Sequence, residues 1–184
     1  LVKLTILVGR KLMPENPVII IGGGPAGLEA ARGVADLGYP VTLVEKEDRL
    51  GGTPILCDYA ALTPNMVNAE EAMGEMVQKI EGDPLIEIKT STEVTAASGS
   101  APALNVTLAG SKGEEQMEAG SVIVATGFKH FDPGKETQMY GYYEFDDVIT
   151  LVDTERMLKA GKVVRPSNGE APKQVCFIQC VGSR

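Results

Sequence analysis

Residues 18–31 read VIIIGGGPAGLEAA. The four apolar residues Val18 to Ile21 show no alternation, the pattern of a strand buried on both faces of a parallel sheet. Three glycines follow at once. Leu28, Ala31, Val34 and Ala35 are then spaced as on one helix face, and Gly38 ends the helix. Gly22, Gly24 and Gly27 have the spacing G-x-G-x-x-G. The first glycine permits the tight turn out of the strand. The second lets a pyrophosphate reach the backbone, and the third lets the helix pack close to the strand. The free N–H groups and positive dipole end of the helix complete an anion site. Pro40 introduces a second strand, VTLVE, Val41 to Glu45, so the whole is one βαβ unit. Glu45 lies 18 residues beyond Gly27, where a carboxylate can accept hydrogen bonds from both hydroxyls of a dinucleotide ribose. An acid there repels a 2′-phosphate, which disfavours NADP. The unit alone serves FAD and NAD equally.

Outward from this unit the pattern changes. A polar loop carries Gly51 and Gly52, and Ala69 to Ile80 has helical spacing in Ala72, Met73, Met76, Val77 and Ile80. LIEIK, Leu85 to Lys89, reads as a strand. STEVTAA, ALNVTLAG and EEQMEAG alternate with turn residues between them, which predicts a small antiparallel meander. SVIVATG, Ser121 to Gly127, is a further buried strand ending in glycine. A loop-rich stretch covers 128–150, Thr154 to Ala160 is a short helix, and VCFIQ, Val175 to Gln179, is a last strand. Ahead of the first strand, Leu1, Leu4, Val8 and Leu12 fit a helix stripe, and MPENP is a linker. The expected class is α/β: a Rossmann-like FAD/NAD(P)-binding domain with a parallel sheet and a small antiparallel meander. Its expected boundaries are a lead-in helix and linker at 1–16, the dinucleotide domain at 17–170, and the first strand of a second, truncated domain at 171–184. The chain starts without Met, as an excised or processed fragment would.

The net charge of −8 disfavours nucleic acid and anionic membranes as partners. No apolar run approaches the roughly 20 residues of a membrane span. Three cysteines are too few for a disulfide framework, so a reducing, cytoplasmic setting is expected. Cys176 and Cys180, four apart on a strand, would place their Cα atoms about 13 Å apart, beyond bridging distance. His130, the only histidine, reads as an exposed or packing residue. The acidic runs EGD and FDD read as solvated loops. No metal-spaced ligands, paired carboxylates or Ser-His arrangement stand out, so no catalytic residue and no metal ligand is assigned.

The order of the glycine triplet, Glu45, RLGG (Arg49 to Gly52) and VIVATG (Val122 to Gly127) resembles the FAD-binding domain of the glutathione-reductase-like flavoproteins. There a meander replaces the second crossover helix, and the resemblance favours FAD over NAD. The disulfide reductases of that group carry GGTCxxxxC; here GGTPILCDY places Pro54 and Tyr59 at the cysteine positions. Dithiol exchange is therefore not expected. Cys57 reads first as a small hydrophobe and second as a flavin-side or metal group. The tail VCFIQCVGSR, with VIVATGFKHFDP, YGYYEFDDVIT, VVRPSNGEAPKQV and the lead-in LVKLTILVGRKLMPE, is similar to the heterodisulfide reductase flavoprotein (A-type) subunits and the flavin subunits of quinone-interacting oxidoreductases. That resemblance implies an electron-transferring oxidoreductase subunit with FAD as cofactor, and other redox subunits, iron–sulfur proteins among them, as partners. A non-catalytic nucleotide-binding scaffold and an NAD-binding dehydrogenase domain are the alternatives. The expected cofactor residues are Gly22, Gly24, Pro25, Ala26, Gly27, Glu45, Lys46, Arg49, Gly51, Gly52, Thr53, Ala125, Thr126 and Gly127. Ferredoxin-like cysteine motifs common in that family are missing from these 184 residues.

Overall fold

The computed structural model describes residues 16–135, 140–179 and 181. The expected lead-in helix, Cys180 and most of the VGSR tail lie outside the described residues. The chain runs β1 (Val18–Ile21), α1 (Pro25–Asp36), β2 (Val41–Val44), α2 (Thr53–Leu56), β3 (Ala61–Leu62), β4 (Val67–Asn68), α3 (Ala69–Gln78), β5 (Ile86–Lys89), β6 (Thr92–Ser100), β7 (Ala103–Gly110), β8 (Gly113–Ala119), β9 (Ser121–Val124) and α4 (Leu151–Lys159). A single turn of 3-10 helix occupies Pro133–Lys135.

Four strands form a parallel sheet in the order β5-β2-β1-β9, with Ile20 opposite Leu43 on one side and Ile123 on the other. The pleat sends alternate side chains to opposite faces. Ile20, Val41 and Leu43 pack against Leu28 and Ala31 of α1 and against Ile80, just beyond α3. Ile19 and Val44 pack against Val106, Leu108 and Ala119 of the three-stranded antiparallel meander β6-β7-β8. The sheet is thus covered by helices on one face and by the meander on the other, which is why its strands read as unbroken apolar runs. Each fully buried Ile or Leu contributes about 1.5–3 kcal/mol of transfer free energy.

Local signals account for the element ends. Gly38, at φ +83°, donates its N–H to the carbonyl of Ala35 and closes α1. Asn68 caps α3 through its side-chain oxygen, which accepts from the amides of Glu70 and Glu71. α4 begins three residues earlier than expected, because Thr150 and Asp153 form a reciprocal capping box. That signal, TLVD at 150–153, is present in the sequence.

One expectation fails. Val175–Gln179 forms no strand, and Val175, Phe177 and Ile178 are exposed. A strand exists only with a ladder partner, and no described segment pairs with this run. The 13 Å separation deduced for Cys176 and Cys180 therefore has no strand to rest on. The acidic runs EGD and FDD do lie in loops and are almost wholly exposed, as expected, and two of their carboxylates also brace those loops. Asp83 Oδ1 accepts from the Leu85 amide at 2.9 Å. Asp147 accepts from Arg165 Nε and Nη2 at 2.9 and 2.7 Å, and from the amide and hydroxyl of Ser167 at 3.0 and 2.9 Å.

The Ser167 amide, Arg165 and the Ser167 hydroxyl hold the Asp147 carboxyl below its ordinary value of 3.8. A depressed folded-state pKa contributes stability that is present above the unfolded value and lost as pH falls through the folded one. Acidification below about pH 4 should therefore loosen the 165–170 turn while the sheet persists. Hydrogen exchange of the Ser167 amide, followed against pH in the parent and in Asp147→Asn, checks this. The variant should show already at neutral pH the loss of protection, relative to the intrinsic exchange rate, that the parent shows only on acidification.

Candidate dinucleotide site

The chain leaves β1 at Gly22, whose φ of +109° suits glycine and whose amide donates to the Val44 carbonyl at 2.8 Å. The strand β9 ends against this turn. A Cβ on Gly22 would lie 2.4 Å from the Ala125 oxygen, and the Ala125 amide donates to Ile21 at 2.8 Å. From the other side the Gly51 amide donates to the Gly23 carbonyl at 2.9 Å, and a Cβ on Gly52 would lie 2.6 Å from Gly24 Cα. The glycine turn, the double-glycine loop and the Ala125 turn, far apart in sequence, thus meet at the carboxyl ends of β1, β2 and β9. Open parallel sheets bind their ligands at such strand ends.

Glu45 follows β2 directly and is buried. Its Oε2 accepts from the Gly23 amide at 2.6 Å and its Oε1 from the Glu47 amide at 2.9 Å. The acid expected for ribose hydroxyls is thus also the staple between β2 and the glycine turn. Each carboxylate oxygen has a second lone pair, so accepting from a hydroxyl remains open to it. Removing it strands two amides and loses two charge-assisted bonds. Glu45→Ala should cost about 2 kcal/mol of stability with no ligand present, which urea denaturation reads directly. An unchanged midpoint would show the staple to be idle.

The other expected residues fall into two groups. Pro25 and Ala26 open α1, and Thr53 opens α2 directly after Gly52. Thr126 and Gly127 continue the Ala125 turn, with Gly127 at φ +69°. Lys46 and Arg49 are exposed, and the Lys46 ammonium lies 3.6 Å from Glu47 Oε1.

The cradle suits a dinucleotide phosphate. No side chain caps α1, and no acidic residue stands in its first turn. The helix therefore presents its positive end without a built-in anion. At Gly24 an added Cβ would meet only Gly52 Cα, at 3.6 Å, so the backbone is open to an incoming group. These residues fit a pyrophosphate at the N-terminus of α1 and a ribose beside Glu45.

The sequence pattern described as pyridine nucleotide-disulphide oxidoreductase matches residues 16–165. The chain belongs to this family. The A-type subunit of the ferredoxin/F420H2-dependent CoB-CoM heterodisulfide reductase of Methanosarcina acetivorans is 30 % identical over an alignment of 247 residues, which covers 91 % of this chain and 31 % of that protein. An iron-sulfur A-type subunit of the CoB–CoM heterodisulfide reductase of Methanopyrus kandleri is 28 % identical, covering 95 % of this chain and 38 % of its own length. The chain therefore spans about a third of the curated relatives it matches. Among solved structures, L-proline dehydrogenase from P. horikoshii superposes with a TM-score of 0.54 at 26 % identity, over 61 % of this chain and 22 % of that one. The expected α/β dinucleotide fold, the oxidoreductase class and the FAD cofactor are those of this family.

Within the pyridine nucleotide-disulphide oxidoreductases this chain lacks the paired cysteines after the double glycine. Pro54 and Tyr59 stand there, and Cys57 and Cys176 are free thiols. Among the described residues no group of three or more His, Cys, Asp or Glu is placed to hold a metal. No described helix is long and apolar enough to cross a membrane. Sequence reasoning missed α2 and the β3–β4 pair, whose two- to four-residue lengths carry no periodic signal. It also missed the Tyr59–His130 hydrogen bond, 71 residues apart, which no local pattern encodes.

Proposed function

We propose that this chain is the FAD-binding part of an electron-transferring oxidoreductase subunit related to the A-type subunits of heterodisulfide reductases. The convergence of Gly22–Gly27, Glu45 and Gly51–Gly52 on the uncapped start of α1 carries this reading. A bound FAD supplies hydride and single-electron chemistry. The protein supplies the rest. Gly24 admits the pyrophosphate, α1 balances its charge, Glu45 accepts from ribose hydroxyls, and the Ala125–Gly127 turn limits the site beside β9. Lys46, Arg49 and Thr53 complete the proposed set. Residues 17–170 form the dinucleotide domain, and 171–184 lead into a second one. The partners are other redox subunits, iron–sulfur proteins among them. The names of the relatives support this, since they include ferredoxin and an iron-sulfur subunit. The setting is cytoplasmic, which suits the free thiols of Cys57 and Cys176.

The test is reconstitution of the purified chain with FAD, followed by gel filtration and an absorbance spectrum. Co-elution of a yellow flavin with the protein at one per chain is the expected result. A colourless protein that shows saturable NADH binding instead would overturn the FAD assignment.

A further inference from the structure

The crevice has a direction. The sheet order β5-β2-β1-β9 puts Glu45 at the β2 end, the glycine turn over β1, and Ala125–Gly127 at the β9 end. A dinucleotide with its adenosine ribose at Glu45 and its pyrophosphate at Gly24 therefore extends its other half towards β9. Three aromatic rings cluster where the loop that follows β9 meets the segment that follows α2. The Tyr59 hydroxyl and His130 Nε2 are 3.0 Å apart, with ring centroids 6.1 Å apart. Phe128 meets the His130 ring edge-on, with centroids 5.1 Å apart and planes at 79°.

The cluster is anchored from both sides. The Tyr59 amide donates to the Pro54 carbonyl of α2 at 2.9 Å, and α2 starts from Gly52, which abuts Gly24. The next amide, that of Ala60, donates to Glu155 Oε2 of α4 at 3.0 Å. His130 and Phe128 belong to the loop that continues from the Ala125–Gly127 turn. Burial raises the Tyr59 phenol above its ordinary value, with smaller contributions from Cys57 and Glu155, so the hydroxyl keeps its proton. Phe128 is 67 % exposed, an apolar ring on the loop that leaves the Ala125–Gly127 turn.

We propose that Phe128, His130 and Tyr59 form an aromatic clasp for the planar ring of the dinucleotide's non-adenosine half, held in register by the Tyr59–His130 hydrogen bond. The proposal rests on the FAD reading above. It assigns a specificity role to residues that the glycine and acid motifs do not include. The clasp packs against an isoalloxazine through ring faces and edges, and contributes nothing to the adenosine half. Its residues therefore set how much more tightly FAD binds than ADP.

The experiment titrates the full chain with FAD and, separately, with ADP, in the parent and in Phe128→Ala, His130→Ala and Tyr59→Phe. The expected result is a loss of about tenfold in FAD affinity for the first two variants, with ADP affinity unchanged. Tyr59→Phe keeps the ring and loses only the tie, so a smaller loss is expected. Fluorescence of the bound flavin gives a second readout, because contact with aromatic rings quenches it; Phe128→Ala should brighten it. Phe128 is exposed, so its removal leaves folding intact, and melting curves check this. Equal losses for FAD and ADP would make the cluster a structural tie and overturn the clasp. So would a parent that binds FAD no more tightly than ADP, while leaving the nucleotide site in place. Binding of neither ligand by the parent would overturn the site and the clasp together.

Discussion

Valine at position 24 is expected to leave the fold standing and to abolish FAD binding. Gly24 has an extended backbone, φ −80° and ψ −175°, which a β-branched residue adopts readily. A Cβ there meets only Gly52 Cα, at 3.6 Å, an ordinary contact. The protein itself accommodates a Cβ at this position. The demand for glycine comes from the ligand, since the branched side chain fills the space where a pyrophosphate approaches the start of α1. The dissociation constant for FAD should rise by at least a hundredfold, about 3 kcal/mol, with the melting temperature nearly unchanged. Calorimetric titration and a melting curve on the same sample separate the two effects. Undiminished affinity would place the pyrophosphate elsewhere.

Gly27→Ala should do the reverse. On helix propensity alone, alanine stabilises an interior helical position by about 1 kcal/mol relative to glycine. Here the added Cβ would lie 1.7 Å from the Gly22 carbonyl oxygen and 2.9 Å from its carbon. Both are backbone atoms that cannot rotate away, and Gly22 is itself wedged against Ala125. α1 would have to lift off the turn and break its packing through Leu28 and Ala31 on the sheet. A loss of about 3 kcal/mol follows from overpacking of this severity, which lowers the melting temperature by about 10 °C in a chain of this size. Binding would fall too, but only with the fold. An unchanged or raised melting temperature would mean that helix and turn are not in close contact.

These two glycines show what a sequence can disclose. The triplet, the apolar run before it and the acid after the next strand are dense local signals, and the structure brings those residues together. The meander is legible because alternation with turn residues has no helical reading. The strand expected at Val175–Gln179 fails for a physical reason, because apolar content permits a strand but only a neighbour makes one. The second use of Glu45, as acceptor for Gly23, is invisible because the carboxylate required for a ribose looks the same in sequence when it also braces a turn. Tyr59 stands out in the sequence only as a residue where a cysteine would be. Its pairing with His130 depends on the fold bringing two loops together.

The bond from Gly23 to Glu45 also bears on the speed of recognition. A glycine-rich loop has many backbone states, and a ligand that had to choose one would lose affinity to its ordering entropy. With the Gly23 amide tied to a carboxylate on the neighbouring strand, that choice is made during folding. The incoming dinucleotide meets a preorganised surface, and association is then governed by encounter and orientation instead of loop closure.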